Sequence, residues 1–257
     1  MLKTVLSYLG KSYNPYKKKP GIIILAYHSI SNGQYSVDIS PSLFEQHMKW
    51  IQSNYKVVSL TEALSYNRLE EDCIVITFDD GYKDYMTSAY PILHKYNIPS
   101  TVYVITDSVS TQKPFNFKAG EGKASLTIHD IEKLRDEKLV NIGAHTHTHL
   151  NLTQLGIDEC RYELQTSYTI LKDILKREDI DFCYPWALYN ASVEKIVREY
   201  YSTAVIGRGR KNTFPYNKFQ LMRIPVKQEK FAYFKERVTG NLYLEGLLRD
   251  ARDLFRR

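Results

Sequence analysis

Short apolar runs alternate with amphipathic stretches along most of the chain. Seven of these runs have the length and composition of buried strands, at 21–27, 73–78, 100–105, 140–144, 181–184, 203–206 and 221–226. Near-continuous apolar runs are typical of parallel strands that are covered by helices on both faces. The pattern therefore predicts an α/β fold in which strand–helix units repeat along the chain.

Capping residues mark the starts of several helices between these runs. An apolar stripe follows each of three candidate caps, which are Ser40 (with Pro41 after it), Thr127 and Asp158. The stripes have helical spacing and are predicted to face the core; their members are Phe44, Met48 and Ile51, then Ile128, Ile131 and Leu134, and finally Leu164, Tyr168 and Leu171. A last helical pattern runs from Glu229 to Arg257, with Gly240 as a break.

No repeat, low-complexity linker or sharp change in composition divides the chain. We therefore predict a single domain at 21–257 that ends in helices, preceded by an N-terminal extension at 1–20. Periodicity alone does not decide whether the strands close into a barrel or form an open sheet. Both arrangements place active-site residues at the carboxyl ends of the strands, so the candidate chemistry is sought there.

The composition is that of an ordinary globular protein, with 43% hydrophobic and 25% charged residues. The formal net charge is +6, but Lys and Arg are spread along the chain and interrupted by acidic residues. This spread predicts no nucleic-acid partner and leaves an anionic substrate or a membrane surface open. Cys73, Cys160 and Cys183 lie far apart without a CxxC spacing, so we expect buried free thiols rather than a zinc knuckle or disulfides.

The N-terminus and the apolar runs also bear on localisation. Only a short, broken apolar stretch precedes Lys17, Lys18 and Lys19, and no small-residue cleavage site follows it. No run approaches the roughly 18 consecutive apolar residues that cross a bilayer. We therefore expect neither a signal peptide nor a transmembrane segment, and a cytoplasmic protein that could associate peripherally with a membrane surface.

The run at 73–78 ends in two adjacent carboxylates, Asp79 and Asp80, followed by Gly81. An Asp-Gly pair is a common turn, so this feature alone leaves a purely structural role open. Neighbouring residues on an extended segment point in opposite directions. One carboxylate could therefore bind a cation while the other accepts a proton.

Three of the seven His residues follow the run at 140–144, at His145, His147 and His149. A helical turn after Ala144 would place His145 and His149 on one face and His147 elsewhere, although a solvated or packed loop is the alternative. Two imidazoles and a carboxylate form the open three-ligand site that metal hydrolases use. We predict one divalent metal ion, with zinc as the first choice and nickel, cobalt and manganese suited to the same ligands.

These motifs resemble those of a known family. TFDDG at 77–81 and HTHTH at 145–149, in this order, are similar to the first two motifs of the polysaccharide deacetylases, the NodB-homology proteins of carbohydrate esterase family 4. AYHSI at 26–30, FCYPWALYN at 182–190 and MRIPV at 222–226 extend the resemblance to the subgroup that deacetylates poly-N-acetylglucosamine. The resemblance implies a distorted (β/α) barrel of about seven parallel strands.

The resemblance also implies roles for individual residues. Asp79 would be the general base, and Asp80, His145 and His149 would be the metal ligands. Most members of the family supply the general acid from a late histidine, but no His follows His149 here. In the subgroup the motif order looks circularly permuted, which makes His28 the candidate acid; a histidine bonded in the core or capping a loop is the alternative.

The third motif departs most from the family pattern. Cys183 stands where an arginine that pairs with the base is usual, and Trp186-Ala187 stand where an aromatic residue and glycine are common. The resemblance implies that Tyr184 and Pro185 form part of one wall of the substrate groove, with the Tyr184 backbone amide holding the oxyanion. Trp186 would stack on a sugar face or pack in the core.

Arg223 interrupts the apolar run at 221–226, and a charge in such a place needs a partner. We predict that Arg223 pairs with Asp79 and so replaces the missing arginine. An ion pair elsewhere in the protein is the alternative.

The sequence thus predicts a metal-dependent hydrolase that removes N-acetyl groups from N-acetylhexosamine units of a polysaccharide, an oligosaccharide or a lipid-linked precursor. Two alternatives stay open. The same metal site could act on an O-acetyl ester, a formyl amide or a cyclic amide, or the protein could bind carbohydrate without turnover. The presence of all the metal ligands together with the base favours an enzyme.

Overall fold

The computed structural model describes residues 19–33, 35–115, 117 and 120–240. In chain order its strands are β1 (Ile22–Tyr27), β2 (Ser29–Ile30), β3 (Asp38–Ile39), β4 (Lys56–Val57), β5 (Cys73–Phe78), β6 (Ser100–Val104), β7 (Val140–Ala144), β8 (Asp181–Cys183), β9 (Thr203–Gly207) and β10 (Leu221–Pro225). Its α-helices are α1 (Pro41–Asn54), α2 (Leu60–Ser65), α3 (Tyr90–Lys95), α4 (Thr106–Thr111), α5 (Ile128–Arg135), α6 (Ile157–Leu175), α7 (Ala191–Tyr200) and α8 (Phe231–Val238).

Seven of the strands close into a ring. They pair in parallel in the order β1, β10, β9, β8, β7, β6 and β5, and β5 pairs again with β1. The short strand β4 pairs with β5, while β2 and β3 form a separate two-stranded sheet after β1. The predicted (β/α) barrel of about seven parallel strands is therefore confirmed, and the open sheet is excluded.

Each of the seven apolar runs coincides with a strand of the ring to within one residue at either end. This agreement has a simple cause, because a strand that is covered on both faces must be apolar at nearly every position. The short strands β2, β3 and β4 lack such runs, and the sequence did not predict them.

Side chains alternate along each strand between the two faces of the barrel wall. One buried cluster fills the interior of the ring and includes Ile22, Ile24, Val75, Tyr103 and Val205. The alternating positions, such as Ile23, Leu25, Ile74 and Ile76, join a larger cluster that packs under the surrounding helices. Burial of each large aliphatic side chain contributes about 1.5–3 kcal/mol, so these two layers supply most of the driving force for the fold.

The predicted helix starts are largely confirmed, with two corrections. Ser40 caps α1 and Thr127 forms a capping box at the start of α5. Ile128 does not face the core, however, because 41% of it is exposed in the first turn of α5. Helix α6 begins one residue before Asp158, after Gly156, so Asp158 lies in its first turn.

The C-terminal helical pattern is observed in part. Helix α8 packs against α1, where the Phe234 ring stacks on the buried His47 ring with centroids 3.6 Å apart. The rest of that pattern, 241–257, and residues 1–18 of the predicted extension lie outside the described residues. None of the helices within the described ranges is long and apolar enough to cross a bilayer.

Candidate active site and metal centre

A cavity of about 210 Å³ opens at the carboxyl ends of the barrel strands. Most of its lining comes from the ends of β1, β5, β7, β9 and β10 and from the turns that follow β7 and β8, and loop residues Val37 and Phe117 complete it. The lining residues are Ala26, His28, Val37, Asp79, Asp80, Phe117, His145, His149, Tyr184, Trp186, Ala187, Gly207, Arg223 and Pro225. The ring therefore brings together side chains that are up to about 200 positions apart in the sequence.

The three predicted ligands converge in this cavity. Asp80 Oδ1 lies 3.5 Å from His145 Nε2 and 3.6 Å from His149 Nε2. Tetrahedral coordination with bonds of about 2.1 Å separates neighbouring ligand atoms by roughly 3.4 Å. The three buried side chains could therefore hold one metal ion with little rearrangement.

The hydrogen bonding of the two imidazoles suits metal binding. His145 Nδ1 lies 2.8 Å from the Cys183 carbonyl oxygen, which can only accept, so Nδ1 carries the proton and Nε2 presents its lone pair toward Asp80. Burial, together with the neighbouring His145, lowers the pKa of His149 to about 4. His149 is therefore neutral near pH 7, the form in which imidazole binds a metal.

The segment 145–149 is an irregular loop, so the helical turn considered from the sequence is wrong. Thr146 and His149 both adopt a left-handed backbone with φ of 65°. The two imidazoles meet, with ring centroids 4.8 Å apart, because the loop turns back on itself. His147 does point elsewhere, and its Nδ1 lies 3.0 Å from the Thr106 hydroxyl.

A left-handed turn separates the two carboxylates at the end of β5. Asp79 stays aligned with β1 through its amide, which donates to the Tyr27 carbonyl at 3.0 Å. Asp80 and Gly81 then take φ values of 70° and 72°. The carboxylates diverge because of this turn, and not because of the extended backbone that we predicted from the sequence.

Asp79 forms a buried ion pair with Arg223. The guanidinium donates to both carboxylate oxygens, at 2.6 and 2.7 Å, and also to the Thr77 hydroxyl at 3.1 Å. Burial alone raises the pKa of Asp79, but the charge and hydrogen bonds of Arg223 outweigh it and leave that pKa well below its usual range. The predicted partner of Arg223 is thus present, and Asp79 is ionised at neutral pH.

His28 lies beside this ion pair at the end of β1. Its Nε2 is 3.8 Å from Asp79 Oδ2, and 27% of its side chain is exposed. A histidine bonded deep in the core is thereby excluded. The imidazole borders the cavity, where it could exchange a proton with a bound molecule.

Cys183 occupies the space between the ion pair and His145. Its sulfur lies 3.0 Å from an Arg223 nitrogen and 3.6 Å from Asp79 Oδ1. Burial raises the pKa of this thiol well above its usual value, so the group is neutral. The resemblance implied a guanidinium at this position on β8, and here Arg223 supplies one from β10, two strands away in the ring.

The third motif requires a correction. The Tyr184 amide donates to the Val205 carbonyl at 3.2 Å, so it is not available to hold an oxyanion. Pro185 is buried, while Trp186 is 55% exposed and lies at the cavity mouth, 4.8 Å from the His149 ring. Packing of Trp186 in the core is thereby excluded.

Phe117 is a cavity residue that the sequence did not single out. Its ring lies 4.8 Å from His149 and 6.3 Å from Trp186, so two aromatic rings flank this imidazole. No motif marks Phe117, because it lies in a loop between α4 and α5 and reaches the site only through the fold. Aromatic rings of this kind commonly pack against sugar faces.

Comparisons with known proteins identify the family of this chain. Residues 66–205 match the family model named polysaccharide deacetylase. The Bacillus subtilis (strain 168) protein YxkH is 30% identical over 184 residues, which are 70% of this chain and 61% of that relative. This chain therefore aligns with less than two thirds of the length of YxkH.

Two further similarities are to a named N-deacetylase and to a solved deacetylase structure. The poly-β-1,6-N-acetyl-D-glucosamine N-deacetylase of Staphylococcus aureus (strain MRSA252) is 25% identical over 217 residues, which are 79% of this chain and 72% of that relative. The solved structure of Streptococcus pyogenes deacetylase PplD in complex with acetate matches with a TM-score of 0.71 at 25% identity. The match covers 86% of this chain and 99% of that chain.

Proposed function

The chain belongs to the polysaccharide deacetylase family, and from this premise we propose that it hydrolyses the N-acetyl group of N-acetylhexosamine units in a glycan. The observation that carries the proposal is the convergence of Asp80, His145 and His149 beside the Asp79–Arg223 ion pair, in one cavity at the carboxyl end of the barrel. The S. aureus relative is named for poly-β-1,6-N-acetyl-D-glucosamine, which supports an N-acetylglucosamine polymer as the substrate class.

We assign a divalent metal, with zinc as the first choice, to Asp80, His145 and His149. When bound, such an ion supplies the Lewis acidity that polarises an acyl carbonyl. The residues fit this assignment because the Asp80 oxygen has tetrahedral spacing from both Nε2 atoms, the His145 Nε2 presents its lone pair and His149 is neutral. Nickel, cobalt or manganese would suit the same donor set.

The remaining chemistry belongs to the chain itself. Asp79 removes a proton from the attacking water while the water oxygen bonds to the acetyl carbon. Arg223 keeps Asp79 ionised and fixes its orientation through two hydrogen bonds. When the carbon–nitrogen bond breaks, His28 gives a proton to the amine, so that acetate and the free amino sugar leave.

Two features position the substrate. Trp186 and Phe117 flank His149 and offer ring faces to a sugar. Because the Tyr184 amide is occupied and Pro185 has no N–H, we assign the oxyanion contact to the amide of Trp186, the next residue of the turn.

Acetate release from β-1,6-linked N-acetylglucosamine oligomers tests the proposal. The metal-free protein should be inactive and regain turnover with one equivalent of zinc. Asp79→Asn should lose at least about 100-fold in kcat, because the base is removed, while it still binds zinc, because Asp79 is not among the three assigned ligands. Turnover by the metal-free protein, or full activity in Asp79→Asn, would overturn the proposal, and sugar binding without turnover would favour a carbohydrate-binding protein.

A further inference from the structure

A buried glutamate on α6 is bonded to the loop that carries the two histidine ligands. Glu163 is 3% exposed, and its Oε2 accepts the backbone amides of His147 at 3.1 Å and Thr148 at 2.8 Å. Its Oε1 accepts the Thr148 hydroxyl at 2.6 Å. Within the described residues, the hydrogen-bond donors to the Glu163 carboxylate all come from this loop.

The loop needs such support because its backbone is unfavourable. Thr146 and His149 both have φ of 65°, a region that residues with a β-carbon rarely adopt. The Thr146 hydroxyl accepts the His149 amide at 2.9 Å, which closes the loop on itself. Glu163 binds the two amides between these strained positions and so ties the middle of the loop to a long helix.

We propose that Glu163 is a positioning residue for the metal centre. It holds the loop in the conformation that places the His149 imidazole beside His145 and Asp80. This inference rests on the proposed metal site. Without Glu163 the amides of His147 and Thr148 would turn to water, and the left-handed conformations would relax. His149 would then have to be ordered again each time a metal binds. The cost of this ordering lowers the affinity of the protein for the metal.

Zinc affinity of the purified, metal-free protein is the direct readout, measured by competition with a chromophoric chelator. Glu163→Ala should weaken zinc binding by about 10- to 100-fold, the usual effect of removing a group that orients a metal ligand. Glu163→Gln should recover most of this loss, because its carbonyl oxygen can still accept both amides. Thr148→Val, which removes only the hydroxyl contact, should have the smallest effect.

The same helix supplies a matched control. Glu159 is exposed and accepts only the Gly156 amide, at 3.1 Å, in the capping box of α6. Glu159→Ala therefore removes a carboxylate and its backbone bond from α6 without touching the ligand loop. Its zinc affinity should equal that of the wild type.

The outcomes separate this inference from the proposed function. If wild-type protein binds no zinc, or Asp80→Asn binds it as tightly as wild type, the metal site itself is wrong. If Asp80→Asn loses zinc but Glu163→Ala keeps it within about 3-fold of wild type, only the positioning role fails. Should Glu163→Ala not fold, Glu163→Asp tests the same contacts, because it keeps the charge but withdraws the carboxylate from the His147 and Thr148 amides. Zinc affinity equal to the wild type in Glu163→Asp would then reject the positioning role.

Discussion

At the scale of single residues, the balance between burial and charge decides the chemistry of the site. Asp79 is 5% exposed, and burial disfavours its ionised form, but the charge of Arg223 and its two hydrogen bonds reverse this effect. A carboxylate held this far toward its ionised form is a weak proton acceptor. The ion pair therefore secures the charge state of the base at the expense of its basicity.

Arg223→Met should lower the stability of the metal-free protein, because it removes the charge that offsets the burial of Asp79. At pH 7 the free energy of unfolding should fall by about 3–5 kcal/mol, because the substitution leaves a buried carboxylate without a partner. The pKa of Asp79 should rise above its unfolded value, since burial, the largest contribution, then opposes only the smaller effects of His145 and His28.

The sign of the pH dependence follows from this change. In the wild type the pKa of Asp79 lies below the unfolded value of about 3.9, so its contribution is present at neutral pH and is lost as the pH falls below about 4. In Arg223→Met the raised pKa makes the folded state bind the proton more readily, so stability should increase as the pH falls. Urea unfolding at pH 7 and pH 4 measures both trends. A stability difference that does not shrink at pH 4 would contradict this account.

The sequence predicted the chemical groups better than their surroundings. Asp79, Asp80, His145 and His149 stand in short local motifs, and they do lie together in the structure. The Tyr184 amide was predicted wrongly because its hydrogen bond to Val205 comes from a strand about 20 positions later. The neighbours of a backbone group are set by the fold, which a motif does not contain.

At the scale of elements, the turn after β5 determines where the two carboxylates point. Gly81 has φ of 72°, and a Cβ there would lie 2.8 Å from Val104 Cγ1. Two constraints therefore apply at once, a left-handed backbone and the close approach of β6. Since Asp80 lies in this turn beside Gly81, any shift of Gly81 would move a predicted metal ligand.

Gly81→Ala should lower both the free energy of unfolding and the zinc affinity. The left-handed conformation alone costs an alanine roughly 1 kcal/mol, and the contact with Val104 adds to it. Gly122→Ala is the matched control, because Gly122 has φ of 75° but nothing within 4 Å of its added Cβ. Urea unfolding of both variants separates the two costs. Equal losses in the two variants would show that the Val104 contact has no effect.

At the scale of the whole molecule, the hydrophobic periodicity of the sequence could not predict that the barrel closes. The apolar runs located the seven ring strands to within a residue, but closure depends on β1 pairing with both β5 and β10. Those partners lie about 50 and 200 positions away in the chain. An apolar run does not indicate which strands it will pair with. Only the resemblance to the family distinguished a barrel from an open sheet.

Two buried histidines in different parts of the barrel should make the metal-free protein sensitive to mild acid. Burial lowers the pKa of His149 to about 4 and that of His47, between α1 and α8, to about 3. Because both values lie below the unfolded value of 6.5, the unfolded chain binds more protons as the pH drops. Each histidine should therefore cost about 2 kcal/mol of stability between pH 7 and pH 5.

Zinc distinguishes the two histidines, because only His149 is a predicted ligand. With zinc at 100 times its dissociation constant, the folded state gains about 2.7 kcal/mol at pH 7. Protons compete with zinc for His149, so this gain should shrink at pH 5.

In His47→Gln the zinc effect and its pH dependence should match the wild type, whereas in His149→Gln both should largely disappear. Thermal unfolding at pH 7 and pH 5, with and without zinc, gives the comparison, and a zinc effect that survives in His149→Gln would remove this residue from the metal centre.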